Sequence, residues 1–218
     1  MLSRERPILM SAPMVRAILA GTKTQTRRFL RPQPHVDALG NACWNDLNFG
    51  QDAHGVPLFE SMALMLPGSG TGEVRCPYGE CGDKLWVREV WGFEKRTEDD
   101  PLLEPVVTYR ADQAEHLYPV KRWRPSIHMP RHLSRITLEV TTVRVERLQD
   151  ISEADAQAEG ITPKWEPGCS GRLMDAFGGF SFRPAASAYA ELWEQINGPG
   201  SWDANPWVWV VEFKRVTP

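Results

Sequence analysis

The run from Ile136 to Leu148 constrains the fold more than any other part of the sequence, because apolar and polar residues alternate along most of it. Alternation with a period of two is typical of a β-strand that buries one face. The pattern changes phase at Thr141 and Thr142. A phase change within one long strand indicates a bulge or a sharp bend, which small β-barrels need in order to close.

Further strand patterns lie on both sides of this run, and helix patterns are few. Strands are predicted over residues 25–31, 84–91, 106–109 and 207–213. Helices are predicted over residues 11–20, 152–159 and 184–196. The second helix begins with Ser152 and Asp155, a weakly matched capping box. The third helix carries an apolar stripe of Ala188, Leu192 and Ile196.

Three stretches without clear periodicity separate these elements, at about 32–75, 92–125 and 163–183. The first accumulates Pro, Gly, Asn and Asp, which predicts a long insertion or an irregular lobe rather than a second core. The third is Gly-rich and is predicted to be a loop. Several strands with few helices predict an α+β fold, a small mixed β-barrel with flanking helices. We therefore expect one domain over residues 1–218, interrupted by these insertions.

Charge and hydropathy narrow the classes of partner. The sequence has 25 Lys and Arg residues and 28 Asp and Glu residues, so its net charge of −3 gives no global basic surface for long nucleic acids. The segment 121–135 is a local exception, with five Lys and Arg residues and no acid. It could hold a short single strand or one nucleotide phosphate, or be a solvated loop. The charged N-terminus and the lack of a long apolar run predict a cytoplasmic protein with no membrane partner.

Four cysteines raise the question of a metal site. Cys76 and Cys81 have four residues between them, a poor match to a zinc half-site, and Cys43 and Cys169 stand alone. Reduced, unpaired thiols are the better interpretation for a cytosolic chain. The sequence therefore predicts neither a metal nor a cofactor.

The densest group of reactive side chains lies between Gly21 and Arg28, in the sequence Gly-Thr-Lys-Thr-Gln-Thr-Arg-Arg. A turn fixed by a helix end can direct the Lys23 ammonium and the Thr26 hydroxyl at one bound group. A Thr hydroxyl needs an adjacent base to act as a nucleophile, and a Lys serves as that base only where its surroundings lower its pKa. The alternative is an exposed turn followed by an ordinary strand hydroxyl.

Four motifs, in this order, resemble the ASCH domain family of the PUA-like β-barrel superfamily. They are Gly-x-Lys-Thr-x-Thr-Arg from Gly21, Gly-Asp-x-Leu-Trp-Val-Arg-Glu from Gly82, Ala-Glu-Gly from Ala158, and the terminal aromatic and Val-rich strand. The resemblance spans residues 7–215. The stretch from Trp123 to Arg131 is similar to a longer subgroup that is common in phages and prophages.

The resemblance also implies an activity. The motifs are similar to those of small bacterial amidohydrolases that remove an acetyl group from the exocyclic amine of acetylcytidine. Matching by motif implies Lys23 as the proton acceptor, Thr26 as the nucleophile and Glu159 as the proton donor to the leaving amine. The implied substrate is an N-acylated cytidine-type nucleoside. The present chain is longer than those enzymes, so its insertions could rebuild the pocket.

Several other residues are candidates for binding the substrate, because aromatic rings stack on bases and guanidinium groups bind phosphates. They are Arg27, Arg28, Trp86, Glu89, Trp91, Trp123, Arg124, His128 and Arg131. Glu89 could act as a second acid or base, but a salt bridge with an Arg is the stronger expectation.

Two alternatives to amide hydrolysis remain. One is a module that binds or cleaves short single-stranded RNA in the same cleft, and the other is a phage accessory protein without catalysis.

Overall fold

The computed structural model describes residues 3–44, 47–57, 76–94, 106–112, 120–167 and 180–216. Within these ranges strands predominate and helices are few, which confirms the α+β class. The strands are β1 (Glu5–Leu9), β2 (Gln25–Phe29), β3 (His35–Val36), β4 (Ala42–Trp44), β5 (Leu47–Gly50), β6 (Lys84–Arg88), β7 (Trp91–Phe93), β8 (Val107–Tyr109), β9 (Thr137–Arg147), β10 (Lys164–Pro167), β11 (Phe180–Arg183) and β12 (Trp207–Val216). The helices are α1 (Ala12–Leu19), α2 (Glu153–Ala158) and α3 (Ala185–Asn197).

The chain divides into two compact units, each assembled from separate stretches. The first unit comprises Met1–Thr24, Pro77–Thr141 and Phe213–Pro218, and the second comprises Gln25–Cys76 and Thr142–Glu212. The expectation of one domain over residues 1–218 stays a prediction.

The first unit is built on β1, β6 and the first part of β9. β1 runs parallel to β6, and β6 runs antiparallel to β9 with Leu85 opposite Leu138. Successive residues of a strand point to opposite faces, so one face of β6 carries Leu85 and Val87, which are buried. Glu89, which follows the strand, is buried as well.

Helix α1 leads into the turn that carries Lys23. Pro13 lies in its first turn, where a missing N–H breaks no helical hydrogen bond. Gly21 follows the helix with φ +75°, a conformation that favours glycine. The peptide N–H groups of Thr22 and Lys23 both donate to the carbonyl of Ala17, at 2.9 and 3.1 Å. These two bonds fix the turn.

The second unit is built on β2, β12 and the later part of β9. β2 runs antiparallel to β12, with Thr26 opposite Val211 and Phe29 opposite Val208. Helix α2 packs against α3 and against β2. One apolar core joins these elements and consists of Leu148, Ile151, Ala156, Ala185, Tyr189, Trp193, Val208 and Val210.

The buried face of α3 differs from the predicted one. Ala185, Tyr189 and Trp193 are buried, whereas Ala188 and Leu192 are half-buried and Ile196 is 57% exposed. The predicted stripe is therefore wrong. The reason is that the helix turns its large aromatic side chains inward, where they bury the most area. The Trp193 ring lies 4.9 Å from that of Phe29 on β2.

Parts of the three insertions form ordered strands. β3, β4 and β5 make an antiparallel sheet, and the indole N–H of Trp44 on β4 donates to the Pro32 carbonyl at 2.7 Å. The irregular lobe predicted for residues 32–75 is therefore wrong for this part, and residues 58–75 lie outside the described ranges. β7 pairs with β8, and β10 pairs with β11, so the predicted loop at 163–183 contains a two-stranded ribbon. Cys169 lies outside the described residues.

β9 shows the predicted phase change. Residues Ile136, Leu138 and Val140 are buried, Thr141 and Thr142 are exposed, and burial resumes at Val145. The boundary between the two units falls at this change of phase. The described strands run in the order β1–β6–β9 in the first unit and β9–β12–β2 in the second, and they close no barrel. The PUA-like fold stays a prediction.

Candidate functional site

A buried arginine on β2 is the centre of a charged network in the second unit. The Arg27 side chain is 0% exposed, and its Nη2 donates to Glu146 Oε2 on β9 at 3.0 Å. The same Nη2 lies 3.4 Å from Asp155 Oδ2 on α2. Nη1 lies 3.8 Å from Oε1 of Glu159, which ends α2. Three carboxylates therefore surround one guanidinium.

Helix α2 brings two of these carboxylates to the same side. Asp155 and Glu159 are four residues apart, so they lie on one helix face. Ser152 Oγ accepts the N–H of Asp155 at 3.0 Å, and Asp155 Oδ2 accepts from the Ser152 peptide N–H at 3.2 Å. This capping box confirms the predicted helix start. Gly160, with φ +89°, ends the helix directly after Glu159.

A second arginine extends the network. Arg144 Nη2 donates to Asp155 Oδ1 at 3.0 Å and to Gln25 Oε1 at 3.3 Å. The Arg144 guanidinium also contacts Glu146 and Glu212. Burial acts to lower the pKa of Arg144, but the hydrogen bonds to these two carboxylates raise it above its ordinary value. Burial likewise acts to raise the pKa of Asp155, but hydrogen bonds from Ser152 and the two guanidinium charges lower it.

The three residues that the resemblance implies as catalytic are all buried. Lys23 and Thr26 are each 2% exposed and Glu159 is 6% exposed. The alternative of an exposed turn at Lys23 is therefore wrong. Thr26 and Glu159 belong to the second unit and Lys23 to the first. Their catalytic roles stay predictions.

The two faces of β2 carry different chemistry. Thr26 and Arg27 are adjacent, so their side chains leave the strand on opposite faces. Arg27 shares a face with Phe29, which packs against the core under α2 and α3. Arg28 shares the Thr26 face and is half-buried. Because Thr26 and Arg27 are both buried, both faces of β2 are covered at this end.

A second ionic cluster lies in the first unit, around Glu89. Its two carboxylate oxygens accept from Nε and Nη2 of Arg135, at 2.9 and 3.1 Å. Arg135 also donates to both oxygens of Asp112, at 2.6 and 2.9 Å, and its Cζ lies 4.0 Å from the ring centre of Tyr109. Burial raises the pKa of Glu89, although the bond from Arg135 opposes this. The Arg salt bridge expected at Glu89 is therefore present.

An aromatic surface with two arginines lies on the outer face of β6. Trp86 is half-buried, and the Cζ atoms of Arg88 and Arg131 lie 5.4 and 5.9 Å from its ring centre. Arg88 Nε donates to the Met129 carbonyl at 3.1 Å, and Arg131 Nε donates to Glu5 Oε2 at 2.9 Å. The two guanidinium groups are thus held beside the ring.

The remaining predicted substrate contacts fall in the first unit. Trp91 is buried, and Arg124 Cζ lies 4.8 Å from its ring centre and 5.6 Å from that of Phe93. This stacking gives Arg124 a packing role against β7. Trp123 is half-buried, and His128 is exposed at the end of a short 3-10 turn.

Sequence reasoning missed most of the carboxylates and one arginine in each cluster. The missed residues are Arg144, Glu146, Asp155 as an Arg partner, Glu212, Asp112 and Arg135. A usable signal was present, because Arg144 and Glu146 are two residues apart on one strand and Asp155 and Glu159 are four apart on one helix. Such spacing places charges on one face of each element.

Comparison with known proteins identified no relative. No family model matches the chain, and neither does any curated protein or solved structure. Among the described residues, no cluster of His, Cys, Asp and Glu could hold a metal ion. In the same part of the chain, no helix is long and apolar enough to cross a membrane.

Proposed function

We propose that the chain is a nucleoside-binding, ASCH-type protein with a PUA-like fold and that it acts as a metal-independent amidohydrolase on N-acylated cytidine-type nucleosides. One observation carries this proposal. Lys23, Gln25, Thr26 and Arg27 are 2 to 3% exposed, so four side chains of the motif that resembles the amidohydrolases are buried polar groups. Burying polar groups is costly unless they are hydrogen-bonded or paired, and buried ionisable groups concentrate at functional sites.

The reaction assigns one step to each residue. Thr26 Oγ attacks the acyl carbonyl carbon while the Lys23 amine accepts the hydroxyl proton. The tetrahedral intermediate collapses and breaks the bond between carbon and nitrogen, and Glu159 donates a proton to the leaving amine. Water then hydrolyses the Thr26 ester, which releases the acid and restores the hydroxyl. The proposal requires Lys23 and Glu159 to act on a group bound at the Thr26 face of β2.

Acetate release from N4-acetylcytidine tests this reaction. Thr26→Val keeps the side-chain shape but removes the nucleophile, so we expect kcat to fall by at least about 100-fold. Thr26→Ser should keep part of the activity, and Lys23→Met and Glu159→Gln should lose most of it. Arg31→Gln is the matched control, because Arg31 is exposed and lies just beyond β2. Unchanged activity in Thr26→Val would reject Thr26 as the nucleophile.

A second candidate function is binding of short single-stranded RNA. The arrangement of Arg88 and Arg131 beside the half-buried Trp86 ring favours it, because an aromatic ring stacks on bases and guanidinium groups bind phosphates. In fluorescence anisotropy with a labelled oligonucleotide, Trp86→Ala should weaken binding about 10-fold, and affinity should fall as salt rises. Affinity that is unaffected by Trp86→Ala would exclude this surface.

A further inference from the structure

The two arginines beside the Trp86 ring differ in what their guanidinium groups bind. Arg131 pairs with a carboxylate, since its Nε donates to Glu5 Oε2 at 2.9 Å and its Nη2 donates to Glu5 Oε1 at 3.5 Å. The same Nη2 also donates to Thr137 Oγ1 at 3.3 Å. The pKa of Glu5 lies below its ordinary value of 4.5, chiefly because of the hydrogen bond from Arg131. The positive charge of Arg131 is therefore balanced by a carboxylate of the protein itself.

Arg88 binds neutral groups instead. Its Nε donates to the Met129 carbonyl at 3.1 Å, and its Nη2 donates to the Ile127 carbonyl. Both acceptors lie in or directly after the 3-10 turn Ser126–His128. Peptide carbonyls carry no net charge, and no carboxylate pairs with Arg88 among the residues that the structure describes. Arg88 thus keeps its positive charge while two hydrogen bonds fix its orientation.

This fixed cation and the aromatic ring lie on one face of the sheet. Trp86 and Arg88 are two residues apart on β6, so their side chains leave the strand on the same side. The Arg88 Cζ lies 5.4 Å from the Trp86 ring centre, and both residues are half-buried. An aromatic ring stacks on a base, and a guanidinium binds a phosphate through charge-assisted hydrogen bonds. A side chain that is already ordered also loses little entropy when it binds a ligand.

We propose that Arg88 is the phosphate-binding residue of the Trp86 surface and that Glu5 keeps Arg131 from this role. This inference rests on the second candidate function, the binding of short single-stranded RNA. The phosphate contact thus moves from Arg131, which was predicted from the sequence, to Arg88, which was not.

The salt dependence of RNA binding tests this assignment. For a labelled single-stranded oligonucleotide, each phosphate contact contributes about 0.7 to the slope of log affinity against log salt. Arg88→Gln should weaken binding about 3- to 10-fold and reduce the slope by about 0.7, whereas Arg131→Gln should change the slope by less than half as much. Arg215→Gln removes one positive charge at an exposed position of β12 and is the control. An unchanged slope in Arg88→Gln, or an equal loss in Arg131→Gln, would overturn the assignment.

Glu5→Gln tests the same assignment in the opposite direction. Removing this carboxylate leaves the charge of Arg131 unbalanced beside the ring, so binding should tighten about 2- to 5-fold and the salt slope should increase. Glu80→Gln makes the same change of charge in an exposed turn of the first unit and should have a smaller effect. Equal effects of the two changes would show that Glu5 does not restrain Arg131.

Two further measurements separate the possible failures. Arg88→Lys keeps the charge but lacks the planar fork that bonds to both carbonyls, so the salt slope should be retained. A slope lost in Arg88→Lys as well would mean that Arg88 acts by holding the turn, and the assignment would fail. If the wild-type protein binds no RNA, or if Trp86→Ala has no effect, the second candidate function fails. Weaker binding in Trp86→Ala with an unchanged slope in Arg88→Gln would overturn the assignment alone.

Discussion

The Arg27 network of the second unit and the Arg135 cluster of the first use the same chemistry in different ways. In each, one arginine joins carboxylates from separate elements. Arg135 is 27% exposed and bonds to Glu89 and Asp112 at 2.6 to 3.1 Å. Arg27 is 0% exposed, and its nearest contacts to three carboxylates range from 3.0 to 3.8 Å.

The difference lies in how fully each guanidinium is bonded. All three nitrogens of Arg135 donate to a carboxylate. Among the described residues, Nε and Nη1 of Arg27 have no hydrogen-bond acceptor. A guanidinium whose nitrogens all donate to carboxylates is what a structural salt bridge needs. The comparison therefore assigns a structural role to Arg135, whereas Arg27 is the more deeply buried and the less completely bonded of the two arginines.

Removing the Arg27 charge should have the largest effect on stability. Arg27→Met removes a fully buried cation beside the buried Glu159 carboxylate, whereas Glu146 and Asp155 keep Arg144 as a partner, so we expect the free energy of unfolding to fall by about 3–5 kcal/mol. Urea unfolding followed by tryptophan fluorescence measures this. Arg31→Met should change the value by less than about 0.5 kcal/mol, as an exposed site normally does. A loss below about 1 kcal/mol for Arg27→Met would show that the network contributes little to folding.

Arg135→Met should cost less, about 2–3 kcal/mol in the same measurement. Arg135 is partly exposed, so water can hydrate Asp112 when the guanidinium is removed. Burial already raises the pKa of Glu89, and that carboxyl can take up a proton in the variant. Arg110→Met, at an exposed position nearby, is the control. A cost equal to or above that of Arg27→Met would reverse the comparison.

The sequence predicted elements better than it predicted contacts. The capping box at Ser152 and Asp155 and the phase change at Thr141 are local patterns, and the structure confirms both. The prediction of the buried face of α3 was wrong, because a stripe of aliphatic residues competes with a stripe of aromatic residues and only tertiary packing decides between them.

The candidate site shows the same limit, since its local motif was predictable from the sequence and its long-range contacts were not. The motif around Lys23 and Thr26 was visible because its residues are adjacent in sequence, and the structure places it among buried side chains. The pairing of Arg27 with Glu146 joins residues that are 119 positions apart, so no local pattern contains it. Such long-range charge pairs require the fold to be known first.

The two clusters should also respond to pH with opposite signs. The pKa of Asp155 lies below its ordinary value of 3.8, so its contribution to stability is present above that pH and is lost as the pH falls through the folded-state pKa. The pKa of Glu89 lies above its ordinary value of 4.5, so its contribution is present below that pH and is lost as the pH rises through the folded-state pKa.

Unfolding free energies measured from about pH 3 to about pH 7 test this difference. The stability of the wild-type protein relative to Asp155→Asn should increase with pH. Its stability relative to Glu89→Gln should decrease with pH over the range in which Glu89 ionises. Slopes of the same sign would show that burial and hydrogen bonding do not distinguish the two carboxylates as we infer.

The smallest effect is expected at Glu153, which pairs with no arginine among the residues that the structure describes and so sets the lower limit of the comparison. Its carboxylate accepts the N–H groups of Ala185 and Ala186 at 2.6 and 3.1 Å, and these bonds lower its pKa below 4.5. It thereby caps α3, whose own N-cap residue, Pro184, makes no side-chain cap.

Glu153→Gln keeps one acceptor oxygen, so amide exchange at Ala185 and Ala186 should accelerate while the midpoint of urea unfolding shifts only slightly. The wild-type protein should approach the variant as the pH falls through the folded-state pKa of Glu153, because a protonated carboxyl loses the same charge. A shift as large as that of Arg135→Met would mean that amide N–H groups hold a carboxylate as firmly as a guanidinium does, and the contrast between the two arginine clusters would then lose its physical basis.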